Sequence, residues 1–110
     1  MIDKTVEKIE ASLTGSEKIS EEKRTELLKL VSELRSEISG LSETDQESAL
    51  DIARKTHDST RQATKKDPDN QQFDSSVKDL NSAVSTFEVT HPGLVSTVNA
   101  FCNGLADIGI

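Results

Sequence analysis

Apolar residues return along this chain at alternating steps of four and three, the repeat that lines one face of an α-helix. Ile2, Val6, Ile9 and Leu13 keep it until Gly15 interrupts, which predicts a short first helix. Ser20 is placed to cap a second, with Glu21 and Glu22 in the first turn where negative charge suits the helix dipole. Leu27, Val31, Leu34, Ile38 and Leu41 then follow the a/d spacing of a coiled-coil seam, broadened by Leu28 and Leu30, with Gly40 near its end. Thr44 and Glu47 have the form of a capping box and predict the start of a third helix. Its stripe consists of small residues, Ala49, Ala53, Thr56, Thr60 and Ala63, before the run from Lys65 to Asn70, with Pro68 inside it, breaks the chain.

The large-residue seam resumes at Phe73, Val77, Leu80, Val84 and Phe87 and continues in phase at Leu94, Val98, Phe101, Leu105 and Ile108. His91 fills the single slot between the two halves. Pro92 lacks an N–H and disfavours helical dihedrals at His91, so a straight helix cannot run through this point, although Pro92 suits the first turn of a new one. The shared phase predicts a bend at His91-Pro92 that keeps both segments facing one partner. Gly109 stands where a left-handed C′ residue belongs, with Ile110 in reach of Leu105.

These elements predict an all-α, elongated antiparallel bundle resembling a coiled coil, with about four to five helices. A single domain, 1–110, divides into an N-terminal helical hairpin (1–41), a polar middle helix and loop (42–72) and a long bent C-terminal segment (73–110).

Composition changes this picture in one respect. Leu, Ile, Val and Phe number 27 of 110 and aromatic residues are limited to three Phe, so the core is narrow and the chain lies just above the level, roughly a fifth, at which charged chains stay disordered. Pairing of two chains would cover apolar edges that one narrow bundle leaves open. A homo-oligomer, first of all a dimer, is therefore expected. Its interface would be the seam Leu27, Val31, Leu34, Ile38, Phe73, Val77, Leu80, Val84, Phe87, His91, Leu94, Val98, Phe101, Leu105 and Ile108. The formal charge of −7 argues against nucleic acid and anionic lipid as partners. No apolar run approaches the ~18 residues of a membrane span and no signal-peptide pattern opens the sequence; with the lone Cys102, this points to the cytoplasm.

Chemistry is sparse. Glu88-x-x-His91 has the spacing of one half of a di-iron ligand set, but such a site needs a second copy and further carboxylates, and the other histidine, His57, follows Arg54 instead. His57-Asp58 lacks companions for a metal shell. Cys102 has no basic neighbour in sequence to make it a nucleophile, and the scattered glycines form no phosphate loop. No catalytic residue, metal or cofactor is indicated. Arg54, Arg61 and Lys65 could share one helix face and meet an acidic partner or nucleotide, although 46–72 balances five basic against five acidic residues. The expected role is a non-enzymatic protein–protein interaction or scaffolding module that self-associates through its seams; the alternative is a regulatory binding module using that basic face.

The C-terminal sequence SVKDLNSAVSTFEVTHPGLVSTVNAFCNGLADIGI resembles the signature of the bacterial domain of unknown function 4404 family. Phe87-Glu88, His91-Pro92, Leu94, Val98-Asn99 and Gly109-Ile110 carry the resemblance, which extends more loosely to the leucine-rich helix; Asp107 departs from the pattern. The resemblance implies helices and the cytoplasm and supplies no catalytic residues.

Overall fold

Five helices account for most of residues 2–108, the part of the chain described by the structure, a computed structural model. They are α1 (Ile2–Thr14), α2 (Glu21–Ser39), α3 (Glu43–Thr64), α4 (Asn70–Ser85) and α5 (Pro92–Ala106). Local chemistry sets the boundaries. Ser20 Oγ accepts from the Lys23 N–H at 3.2 Å and opens α2, and Asp69 Oδ1 accepts from the N–H groups of Gln71 and Gln72 and opens α4. α3 begins earlier than the Thr44–Glu47 pattern predicts. Its cap is Ser42, whose Oγ accepts from the Asp45 N–H at 3.3 Å, which leaves Thr44 exposed inside the first turn.

The helices alternate in direction. Lys18 Nζ, in the α1–α2 turn, donates to the carbonyls of Ala63 and Lys65 at the end of α3, while Ile2 lies beside the start of α3, so α1 and α3 run parallel. α2 opposes both, with Arg35 near its end paired to Asp3 at 2.8 Å. α4 returns along α3, and α5 runs back past α4, its Ala106 lying by Phe73. In cross-section the order is α1, α2, α5, α4, α3 and back to α1; α3 touches all four other helices.

The junction at Pro92 is therefore a complete reversal. The turn between α4 and α5 stays in phase because its hydrogen bonds, Phe87 N–H to Val84 O and His91 N–H to Phe87 O, continue helix-like turns as far as His91. His91, at φ −138° and ψ 67°, then leaves the helical region and Pro92 begins α5. Both seams face one core, but from antiparallel helices rather than along one bent rod.

That core has two clusters. One joins the end of α2 (Leu34, Ile38) to Ile52, Leu80, Val84, Phe87, Leu94 and Val98; the other joins α1 (Val6, Ile9, Leu13) to Leu27, Val31, Phe73, Phe101 and Leu105. Between them along α3 and α4 lies a buried polar layer, in which Ser59 Oγ donates to Ser76 Oγ at 3.1 Å, Ser76 donates to the Phe73 carbonyl, and Thr56 and Thr60 donate to carbonyls one turn back. With its hydroxyls satisfied, this layer avoids the cost of an unpaired buried polar group, and its small side chains let α3 sit among its neighbours. The radius of gyration is 13.0 Å, against ~13 Å for a compact domain of 100 residues, and the extents are 37 × 24 × 21 Å. The long axis is only slightly more than the length of α3, ~33 Å for its 22 residues.

Candidate functional site

The seam residues expected at an interface are used inside one chain. Leu27, Val31, Leu34, Ile38, Phe73, Leu80, Val84, Phe87, Leu94, Val98, Phe101 and Leu105 are buried, and Val77 and Ile108 are half-buried against the same clusters. A second copy could reach these stripes only by exchanging helices with the first. The physical reason is the topology: five short helices supply for one another the partner surface that a pair of long helices would have needed from a second chain. Gly109 and Ile110 lie outside the described residues.

His91 stands at the N-cap of α5 without capping it through its side chain. Its Nε2 lies 3.4 Å from Asp45 Oδ2 in the first turn of α3, and its ring tilts over Phe87 with centroids 5.7 Å apart. The polar slot in the stripe thus links the start of α5 to the start of α3, a pairing that no sequence spacing announced. Glu88 is exposed in the turn, and among the described residues no group of three or more His, Cys, Asp and Glu side chains is placed to hold a metal ion. Cys102 is buried beside an α4–α5 groove edged by Asn81, Asn99 and Asn103, and burial pushes its thiol up to about 11. At neutral pH almost none of it is the reactive thiolate.

The most distinctive surface is the edge between α1 and α3. Glu43, Glu47, Leu50, Arg54, His57 and Arg61 recur at steps of four and three on the face of α3 that borders α1, and Lys65 follows just past the end of the helix. In the lower half, Arg54 and Arg61 are exposed and make no ion pair among the described residues, whereas Lys23, Arg24, Arg35 and Lys55 each have a carboxylate. Lys65 Nζ donates to Gln72 Oε1 at 2.9 Å. His57 is held below its usual pKa first by burial and then by the charges of Arg61 and of Lys8 on α1, with Asp58 opposing. Two helices therefore supply a local positive field within a chain of net charge −7. Lys8 was the hidden member of this group, since nothing in the spacing of α1 brings it to His57.

In the upper half, Ile2, Ile38 and Leu50 floor a groove of about 570 Å³, and Glu43 and Glu47 form its rim. Gln46 completes the wall, its Nε2 donating to the Ser39 and Leu41 carbonyls at the end of α2, which holds the α2–α3 corner. Ile2 and Leu50 are half-buried, so apolar surface remains accessible between anionic side chains.

An up-down bundle of five helices, closed into a ring around a core of its own, is the class of protein these observations define. Residues 27–110 match the family model described as Domain of unknown function (DUF4404), and the chain belongs to that family. No curated protein and no solved structure matches it. The family match begins within α2, so α1, including Ile2 and Lys8, lies before it. Among the described residues no helix is long and apolar enough to cross a membrane.

Proposed function

We propose that this protein is a non-enzymatic protein–protein interaction module whose contact surface is the α1–α3 edge, with Arg54 and Arg61 meeting carboxylates of an acidic partner. The observation that carries this reading is the pair of exposed arginines on one face of α3 that make no ion pair among the described residues, joined there by the positive charge of Lys8, in a chain with twenty acidic residues. The chemistry-bearing side chains support it from the other direction: Cys102 is buried with a raised pKa, and His91 is engaged by Asp45 at a helix junction. An acidic polypeptide fits better than a nucleotide, because all three phenylalanines are buried and no aromatic side chain is free to stack on a base. A free buried thiol suits the cytoplasm, where we place the protein.

Titration of the isotope-labelled protein with a short poly-glutamate peptide tests this reading. Amide shifts should gather at 50–65 and around Lys8, and Arg54→Glu combined with Arg61→Glu should abolish them. Shifts gathered elsewhere, or none at all, would remove the basis for the proposal.

A further inference from the structure

The edge of α3 has an internal order that a merely basic face lacks. Counted outward from Leu50, Glu47 lies three and Glu43 seven residues toward the N-terminus, while Arg54 lies four and His57 seven toward the C-terminus. The stripe is anionic on one side of a half-buried leucine and cationic on the other. When two such stripes pair antiparallel about Leu50, a residue a given number of places before Leu50 meets the residue the same number after it in the other copy. Glu47 then falls beside Arg54, and Glu43 opposite His57. A parallel pairing would set glutamate on glutamate and arginine on arginine. Leu50, at the C-terminal end of the acid-rimmed groove, lies at the centre of the antiparallel arrangement, where apolar surface is needed.

We propose that a second copy of this chain covers the α1–α3 edge as an antiparallel, two-fold symmetric pair, the two Leu50 side chains meeting at the axis with Glu47–Arg54 pairs on both sides. This rests on the reading of the edge as a contact surface and names its partner: the carboxylates that Arg54 meets are those of the same protein. Two-fold symmetry makes the surface self-complementary, so each favourable contact occurs twice. Charge order, rather than apolar area, sets the register, as it does where charged positions flank a helical seam. Val89, the exposed large apolar side chain among the described residues, is a poor occupant of the groove. It follows Glu88 and would bring a carboxylate to the anionic rim.

Sedimentation of the full chain with charge-reversed variants decides the matter. The wild type should show a concentration-dependent dimer. Glu47→Arg and Arg54→Glu should each raise its dissociation constant at least about tenfold, because each places two pairs of like charges in contact. The double variant should recover the dimer. An equimolar mixture of the two single variants should associate although neither does alone, since every charged contact in the mixed pair is then complementary. Both positions are exposed, and circular dichroism of each variant checks that the helices are intact. A wild type that stays monomeric up to about 1 mM overturns the inference, as does a dimer indifferent to both reversals. If that monomer still binds poly-glutamate at Arg54 and Arg61, the edge remains a contact surface whose partner is another protein. If it binds none, both readings fail together.

Discussion

Gly104 shows how finely single positions are fitted. A Cβ built there would lie 2.6 Å from Leu27 Cδ2, in a core where Leu27 has no exposure, so the Leu27 side chain or the helix must shift. Gly104→Ala should therefore destabilise the protein by about 1–3 kcal/mol through overpacking, measured by urea denaturation, even though alanine is the better helix former. A gain in stability would mean that α2 and α5 are less closely packed than this contact requires. His57 makes a pH-dependent contribution of definite sign. Its folded pKa lies below the ordinary value of 6.5, so the unfolded chain takes up its proton first as the pH falls. Stability associated with His57 is complete above pH 6.5 and declines as the pH drops through that value toward the folded pKa. His57→Gln should accordingly lose less stability than the wild type between neutral pH and about pH 5, read as the difference in urea midpoints. Equal losses would mean that neither burial nor the charges of Arg61 and Lys8 hold the ring below its usual pKa.

At the scale of elements, the burial of α3 and its composition point in opposite directions. Its stripe of Ala49, Ala53, Thr56, Thr60 and Ala63 offers little apolar area, which suggests the weakest helix. Yet these residues are buried, Ile52 adds a large side chain with no exposure, and α3 packs against every other helix. Amide exchange across 49–63 should be among the slowest in the molecule, at least as slow as in 94–105; markedly faster exchange would restore the compositional view. The start of the same helix offers a second test. Ser42→Ala removes the observed cap and should cost about 1 kcal/mol, while Thr44→Ala, inside the first turn and exposed, should cost little. The reverse ranking would favour the Thr44–Glu47 box. Ser-Glu-Thr-Asp offers several cap candidates within four residues, and only the direction of the incoming chain after Leu41 selects Ser42.

For the whole molecule, the ring of helices explains why a narrow-stripe sequence needs no second chain for its core. α1 is part of that closure although it lies before the family match. Val6, Ile9 and Leu13 are buried against Leu27, Val31 and Phe101. Removing residues 1–19 should expose this cluster, lower the melting temperature and produce binding of a hydrophobic dye such as ANS. An unchanged melting temperature in the truncated chain would show that the four remaining helices close a core without α1. The proposed pairing through α3 adds a small polar contact to this closed core, so disrupting it should leave the fold intact.

Much of this architecture was legible in order and type. The four-and-three spacing located the helical segments, with α4 and α5 joined as one bent segment, Gly15 and Pro68 marked breaks, Ser20 marked a cap, and the stripe of α3 stood out by its small residues. These features depend on residues within a turn or two of one another, so local periodicity and hydrogen bonding suffice to establish them. What periodicity leaves open is which stripe each stripe meets. Leu27 to Leu41 and Phe73 to Ile108 fit an intermolecular seam and an intramolecular core equally well, and the in-phase segments around His91 fit a bend and a reversal alike. The pairing of His91 with Asp45, of Lys8 with His57 and of Ile2 with Leu50 joins residues more than forty positions apart. Only the closing of five short helices around a shared core brings them together, because loop geometry and the mutual burial of stripes, not any one stripe, select the neighbours.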